Sequence, residues 1–245
     1  MRIGVFVDAA NISANGGKSM RYDVLRDYCL QGETPIRLNT YLAFDDERAR
    51  ADREYAEKQY GYFSILRNFG FKVVTKSIRK YMDEEGNWIS KANVDLDMAV
   101  DMLMQAEKLD KIYLLTGSGD FKRVVQAVQS KGVRVELIAF KNCSQELRYE
   151  VDEFTSGYMI PNLLPVEGQD LESWGELDHR VRGQCYATSE GYGFMKYMDQ
   201  EFGYHEVFVP FALLPRGFYL RLDNVYEFEL QEGQKGLLAA GVTTV

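Results

Sequence analysis

The sequence predicts an α/β domain built on a parallel sheet flanked by helices, followed by a small all-β barrel. Three observations carry this expectation. Over roughly the first 160 residues, short apolar runs alternate with segments of helical spacing, the pattern of a parallel α/β sheet. At 161–178 (PNLLPVEGQDLESWGELD) two prolines, several acids and the absence of any period read as a linker. Beyond it come short alternating runs separated by glycine-containing turns, as in a small barrel.

The elements follow in order. Residues 2–7 (RIGVFV) form an apolar run ending at Asp8, as a strand buried on both faces does, and similar runs stand at 36–43, 71–75, 112–116 and 133–138. Helical spacing occupies 46–69, 94–107 and 120–131. Gly70 and Gly132 stand where a helix C-terminus commonly turns left-handed. The stretch 81–90 (YMDEEGNWIS) reads as a surface loop or irregular hairpin. In the second part the strands are expected at 180–188, 192–198, 205–211, 225–230 and 236–242. The domains are accordingly 1–160, a linker at 161–178, and 179–245.

Composition narrows the function classes. The chain has 245 residues, 46% of them hydrophobic, enough for a domain of roughly 150 residues and a small companion. No stretch approaches the roughly 20 apolar residues of a membrane-spanning helix, and Met1-Arg2 leads directly into a strand, so a cytoplasmic protein without a membrane partner is expected. Three scattered cysteines and two histidines make a disulfide framework or a structural zinc site improbable. The formal charge of −8 argues against a broad basic grip on nucleic acid. From Pro161 onward there are 6 Lys and Arg against 13 Asp and Glu, a balance of −7, so the first part carries −1. A strand-binding barrel of that sign would have to rely on stacking rather than on phosphate attraction.

In open parallel sheets ligands bind beyond the carboxyl ends of strands, where strand order reverses. Asp8 follows the first strand, Asn11 lies three residues on, and Thr116-Gly117-Ser118-Gly119-Asp120 follows the strand at 112–116. If those strands are neighbours, the groups share one crevice. Asp95, Asp97 and Asp101 lie around the start of the helix at 94–107. Asp97 and Asp101 share a face, whereas Asp95 stands about 120° from Asp101 on an ideal helix. Carboxylates gathered together repel unless cations neutralise them, and an oxygen-only set suits Mg²⁺ or Mn²⁺. As single residues, Asp8, Asn11 and Asp120 read equally as helix caps or turn residues, and Asp97 as a solvated helix residue.

The ordered motifs VDAANI (7–12), KANVDLDMAVDML (91–103) and LLTGSGDF (114–121) resemble the NYN branch of the PIN-like nucleases, which includes LabA-type proteins. The resemblance covers roughly residues 1–160. It implies a sheet with helices on both sides and divalent-metal ribonuclease activity. Carried over by position, it points to Asp8, Asn11, Asp95, Asp101 and Asp120 as catalytic, the four aspartates as metal ligands, and Thr116 and Ser118 as lining the same pocket. The family's last motif commonly reads SGDxDF, and Ser118 stands where its first acid would be. Lys18, Lys91 and Lys122 are candidates for phosphate contact near the crevice.

In the second part, Gly191-Tyr192-Gly193-Phe194 places Tyr192 and Phe194 on one face of a strand, with Phe208 and Phe211 on the next hairpin. GYGFMKY (191–197), VFVPF (207–211) and EFELQEGQKGLLAAGV (227–242) resemble the cold-shock domain, an OB-fold barrel. The early tryptophan of that family is missing and Pro210 replaces its histidine. Tyr186 stands as a partial substitute. The expectation is therefore a metal-dependent ribonuclease, endonucleolytic rather than exonucleolytic, acting on single-stranded RNA. A regulatory RNA-binding protein weakened at Ser118 is the rival reading, a nucleotide-binding α/β domain a third, and the sequence leaves a homodimer open.

Overall fold

The computed structural model describes residues 1–82, 85–234 and 236–245, and the side chains of 89–91 lie outside the description. Contacts divide the chain into two units, Met1–Thr155 and Ser156–Val245.

The first unit is an α/β layer structure. Its strands are β1 (Ile3–Asp8), β2 (Pro35–Phe44), β3 (Lys72–Ser77), β4 (Arg79–Met82), β5 (Trp88–Lys91), β6 (Lys111–Leu115), β7 (Arg134–Ala139) and β8 (Glu153–Ser156). Its helices are α1 (Ala9–Ala14), α2 (Tyr22–Leu30), α3 (Asp46–Ala51), α4 (Arg53–Asn68), α5 (Val94–Gln105), α6 (Lys122–Gln129) and α7 (Gln145–Glu150). Six strands form one sheet in the order β3-β2-β1-β6-β7-β8, while β4 and β5 pair as a separate hairpin. The pairings from β3 through β7 are parallel. The conditional expectation that β1 and β6 are neighbours is met, with Val7 opposite Leu115. From β1 the chain builds outward to β2 and β3, then returns to the other side of β1 as β6. Strand order therefore reverses between β1 and β6, and Asp8 stands at that reversal.

Helix α5 explains how one side of the sheet is closed. Val94, Met98, Met102 and Ala106 recur every fourth residue and are all buried, packing with Val125 and Val128 of α6 and with Phe6, Ile112, Leu114, Val135 and Leu137 of the strands. The helix expected over 46–69 is two helices. Asp52 has an extended backbone, and its carboxylate accepts the Tyr55 N–H at 3.0 Å, so it starts α4 and ends α3. Gly70 and Gly132 adopt left-handed φ values of 88° and 82°, as their positions after α4 and α6 predict.

The second unit contains a closed barrel of β9 (Arg180–Ser189), β10 (Tyr192–Met198), β11 (Tyr204–Pro210), β12 (Val225–Gly233) and β13 (Gly236–Thr244), in the order β10-β11-β13-β12-β9. Inward positions alternate along much of β10, β11 and β12, with Met195 and Tyr197, Val207 and Val209, and Phe228 and Leu230, while Val181 and Cys185 of β9 join the same core. The stretch before β9 contributes Val166 and Trp174 to this core, and the Trp174 indole N–H donates to the Met198 carbonyl at 2.8 Å.

Candidate functional site

The crevice is built around Asp8, which is only 4% exposed. One carboxylate oxygen caps α1 by accepting the Asn11 N–H at 3.0 Å, and the other accepts the Thr116 hydroxyl at 3.0 Å. The cap reading of Asp8 is thus correct, and it is also what fixes the carboxylate at the end of β1. Asn11 Oδ1 accepts the Gly117 N–H at 2.8 Å, while Thr116 Oγ1 accepts the Ser118 N–H at 3.2 Å. These bonds tie the start of α1 to the loop after β6. A Cβ on Gly117 would stand 3.1 Å from the Asn142 carbonyl and 3.3 Å from Asn11 Oδ1, so any larger residue would press on both neighbours.

Because the Gly117 donor fixes Asn11 Oδ1 as the acceptor, the amide Nδ2 of Asn11 is left to donate outward. Ser118 Oγ accepts the Asp120 N–H at 3.4 Å and so caps the short turn at Gly119–Phe121. Sequence alone would give that cap to Asp120. With Ser118 as the cap, the exposed Asp120 carboxylate is free of it.

Electrostatics groups three of the four predicted metal ligands. Burial pushes the Asp8 carboxyl above its ordinary pKa, and the nearby charge of Asp95 adds to this, against the two hydrogen bonds that favour ionisation. Partial burial raises Asp95 as well, helped by the charge of Asp120. Asp8, Asp95 and Asp120 therefore lie within one another's fields in series, and among the described residues none of them forms an ion pair.

Asp101 and Asp97 lie on a different face of α5. Asp101 accepts the Tyr41 hydroxyl at 2.8 Å, and both Asp97 oxygens receive Lys76 Nζ at 2.9 Å. Asp97 is thus ion-paired to β3 rather than simply solvated. Burial and the two aspartates push the Tyr41 phenol far up, keeping it a donor at neutral pH. The helical angle of about 120° between Asp95 and Asp101 is what separates the two groups. Sequence reasoning missed Tyr41, because a tyrosine within an apolar strand gives no sign of its partner.

Among the described residues, no three of His, Cys, Asp and Glu stand close enough to hold a metal ion by themselves. The donor chemistry at Asp8, Asp95 and Asp120 still fits a hard cation that keeps most of its waters and takes one or two carboxylates. The predicted phosphate-contact lysines differ in their surroundings. Lys122 is paired with Glu146 at 2.9 Å, Lys18 is exposed, and the side chain of Lys91 lies outside the described residues.

On the barrel, Tyr192, Phe194 and Phe208 form one ring cluster, with centroids 5.6–5.7 Å apart, and Tyr186 joins it 6.3 Å from Phe194. Phe194 and Phe208 are register partners on β10 and β11. Tyr192 and Phe208 are 39% and 37% exposed, so both present ring surface to solvent. The Tyr186 hydroxyl donates to Glu206. Phe211 is apart from this face. Its ring edge comes 3.4 Å from where a Cβ on Gly193, an inward-facing position of β10, would stand. Beside the rings lies a groove of about 580 Å³ walled by Phe194, Phe208, Leu237 and Leu238, which the sequence did not signal.

Comparison with known proteins bears chiefly on the first unit. The cyanobacterial Low amplitude and bright protein LabA of Synechococcus elongatus is 30% identical over 101 residues, covering 40% of this chain and 54% of that protein. The chain thus matches about half the length of that curated relative. A crystal structure of a protein of unknown function from Vibrio parahaemolyticus shares the fold at 22% identity, with a TM-score of 0.51, over 63% of this chain and 91% of that one. The solved structure of Drosophila Unr CSD456 is similar over 28% of this chain and 27% of its own, at 18% identity and a TM-score of 0.23. Residues 2–164 match the NYN domain, about two thirds of the sequence, and the chain belongs to the NYN domain family.

Proposed function

We propose that this protein is a divalent-metal-dependent ribonuclease that hydrolyses phosphodiesters of single-stranded RNA, with its barrel holding the strand by stacking. The observation that carries the reading is the series Asp8, Asp95 and Asp120, with Asp8 at the point of strand reversal, Asp8 raised chiefly by burial and also by the charge of Asp95, Asp95 raised by burial and the charge of Asp120, and none with a cationic partner among the described residues. Such a crevice favours a divalent cation and, through it, a phosphodiester.

Mg²⁺ or Mn²⁺, when bound, would polarise the phosphoryl oxygen and ready a water for in-line attack. Asp8 is held rigidly for that role by Thr116 and the Asn11 N–H. Asn11 Nδ2 is placed to donate to a phosphoryl oxygen, because its Oδ1 is already engaged. Asp101 accepts the Tyr41 hydroxyl through one carboxylate oxygen, which steadies it on α5 and leaves its other oxygen for the ligand role that its position suggests. Tyr192, Phe194 and Phe208, with Tyr186 at their edge, offer bases a continuous π surface.

A second reading, a metal-binding RNA binder with weakened cleavage, is favoured by Ser118, whose hydroxyl caps a turn where the family commonly places an acid. One experiment separates the two. Labelled single-stranded RNA is incubated with the protein and Mn²⁺, beside Asp8→Asn and Ser118→Asp. The nuclease reading expects cleavage that Asp8→Asn abolishes. RNA bound intact by the native chain but cut by Ser118→Asp would establish the second reading.

A further inference from the structure

A cavity of about 480 Å³ lies beside the acidic crevice, lined by Ala9, Ala10, Ile12 and Ser13 of α1, by the loop through Gly17, Ser19 and Met20, and by Tyr22, Leu42, Ala43 and Tyr62. None of these lining side chains carries a charge. The volume falls in the range of roughly 300–1,000 Å³ that small-molecule sites occupy.

Three features show that the cavity is held open by the fold. Its aromatic wall is fixed, because Tyr62 donates to the Tyr22 hydroxyl at 3.1 Å and Tyr22 packs edge-on to Phe71 at 5.1 Å. The loop opposite is pressed onto α1 so tightly that a Cβ on Gly17 would stand 2.4 Å from the Ile12 side chain. The rim is made of small residues, with Ala10, Ser13 and Ser19 exposed. The cavity also adjoins the acids. Ala9 and Ala10 directly follow Asp8 in sequence, and Tyr22, raised chiefly by burial and then by Tyr62, also feels the charge of Asp8.

We propose that this cavity is a nucleobase subsite, which takes one unpaired base of a strand whose phosphate lies at Asp8 and Asp120. The inference rests on the ribonuclease reading for its occupant. A phosphate or metal would be unsolvated among these apolar walls, whereas a flat, uncharged ring with polar edges suits a slot of aliphatic and aromatic side chains. In a nucleic acid strand the group that hangs one sugar away from a bound phosphate is the base. The half-buried Tyr62 hydroxyl, paired with the Tyr22 hydroxyl, puts a polar group on the wall that can meet the polar edge of a base.

The test uses the full chain with methyl-labelled Ile and Met, titrated with nucleosides in the absence of metal. The Ile12 and Met20 methyl signals are expected to shift saturably. In Ala10→Trp, which fills the exposed rim, those shifts are expected to be lost. In cleavage assays the same variant is expected to raise KM about tenfold with little change in kcat, as removal of uniform binding does. An abasic site at the nucleotide next to the cut should have the same effect on the native protein, and no added effect on the variant.

Shifts confined to the barrel, with Ile12 and Met20 unmoved, would overturn the subsite and leave the nuclease reading standing. Saturable shifts at Ile12 and Met20 in a protein that cuts no RNA would uphold the subsite and sink the nuclease reading.

Discussion

Asp8 is stabilised and destabilised at once, and the balance makes its role testable without any substrate. Its two hydrogen bonds favour the carboxylate, but burial and the charge of Asp95 outweigh them and raise its pKa. A carboxyl whose folded pKa lies above its unfolded value weakens the folded state once it ionises. That penalty is absent below the ordinary value of 3.8 and is fully present above the raised one. Asp95 adds to it in the same direction. Asp8→Asn keeps an oxygen to cap α1, so in metal-free buffer at pH 7 its Tm should exceed that of the native chain by a few degrees, a shift of about 1 kcal/mol being worth roughly 2–4 °C at this size. The advantage should vanish near pH 3. With Mn²⁺ the order should reverse, since only the native site gains from binding. Thermal scans at the two pH values, with and without the ion, check all three statements.

At the scale of elements, the loop after β6 is the part that the site depends on most. Gly117→Ala would push against the Asn142 carbonyl and Asn11 Oδ1, at 3.1 and 3.3 Å from the new methyl. An overpacked contact of this kind costs about 1–3 kcal/mol, and here it would also loosen the Asn11 bond that aligns α1 with the loop. Denaturant unfolding should register the loss, and activity should fall by more than the change in stability explains.

The sheet strands were legible because β1, β2, β3, β6 and β7 are short runs dominated by apolar and β-branched residues, and the barrel strands because they alternate. The helices α1, α2 and α7 were not, since six to nine residues are too few to display a clear period. Strand β8, of four residues, escaped for the same reason. The candidate acids were legible as a set. The split of α5 into a face carrying Asp95 and a face carrying Asp97 and Asp101 was visible only as an angle, because the partners Tyr41 and Lys76 come from strands remote in sequence.

Over the whole molecule, charge decides how RNA could be held. The chain carries −8 overall, most of it from Pro161 onward, so attraction to phosphates contributes little on that side. The exposed rings of Tyr192 and Phe208 are the natural alternative. Phe208→Ala should lower the affinity for a single-stranded oligonucleotide about tenfold, within the roughly 1–3 kcal/mol of a lost base stack. The salt dependence should be shallow, with a log–log slope of magnitude below about 2. Fluorescence anisotropy at several salt concentrations measures both. Among the described residues no helix is long and apolar enough to cross a membrane.

The proposed nuclease needs Asp8, Asp95 and Asp120 to form one cation site, away from the Lys76-paired Asp97. The most direct measurement is the anomalous difference density of crystals soaked in Mn²⁺. A peak touching Asp8 together with Asp95 or Asp120 is the expected result. Density at Asp97 alone, or an Asp8 carboxylate that stays metal-free at saturating Mn²⁺, would contradict it.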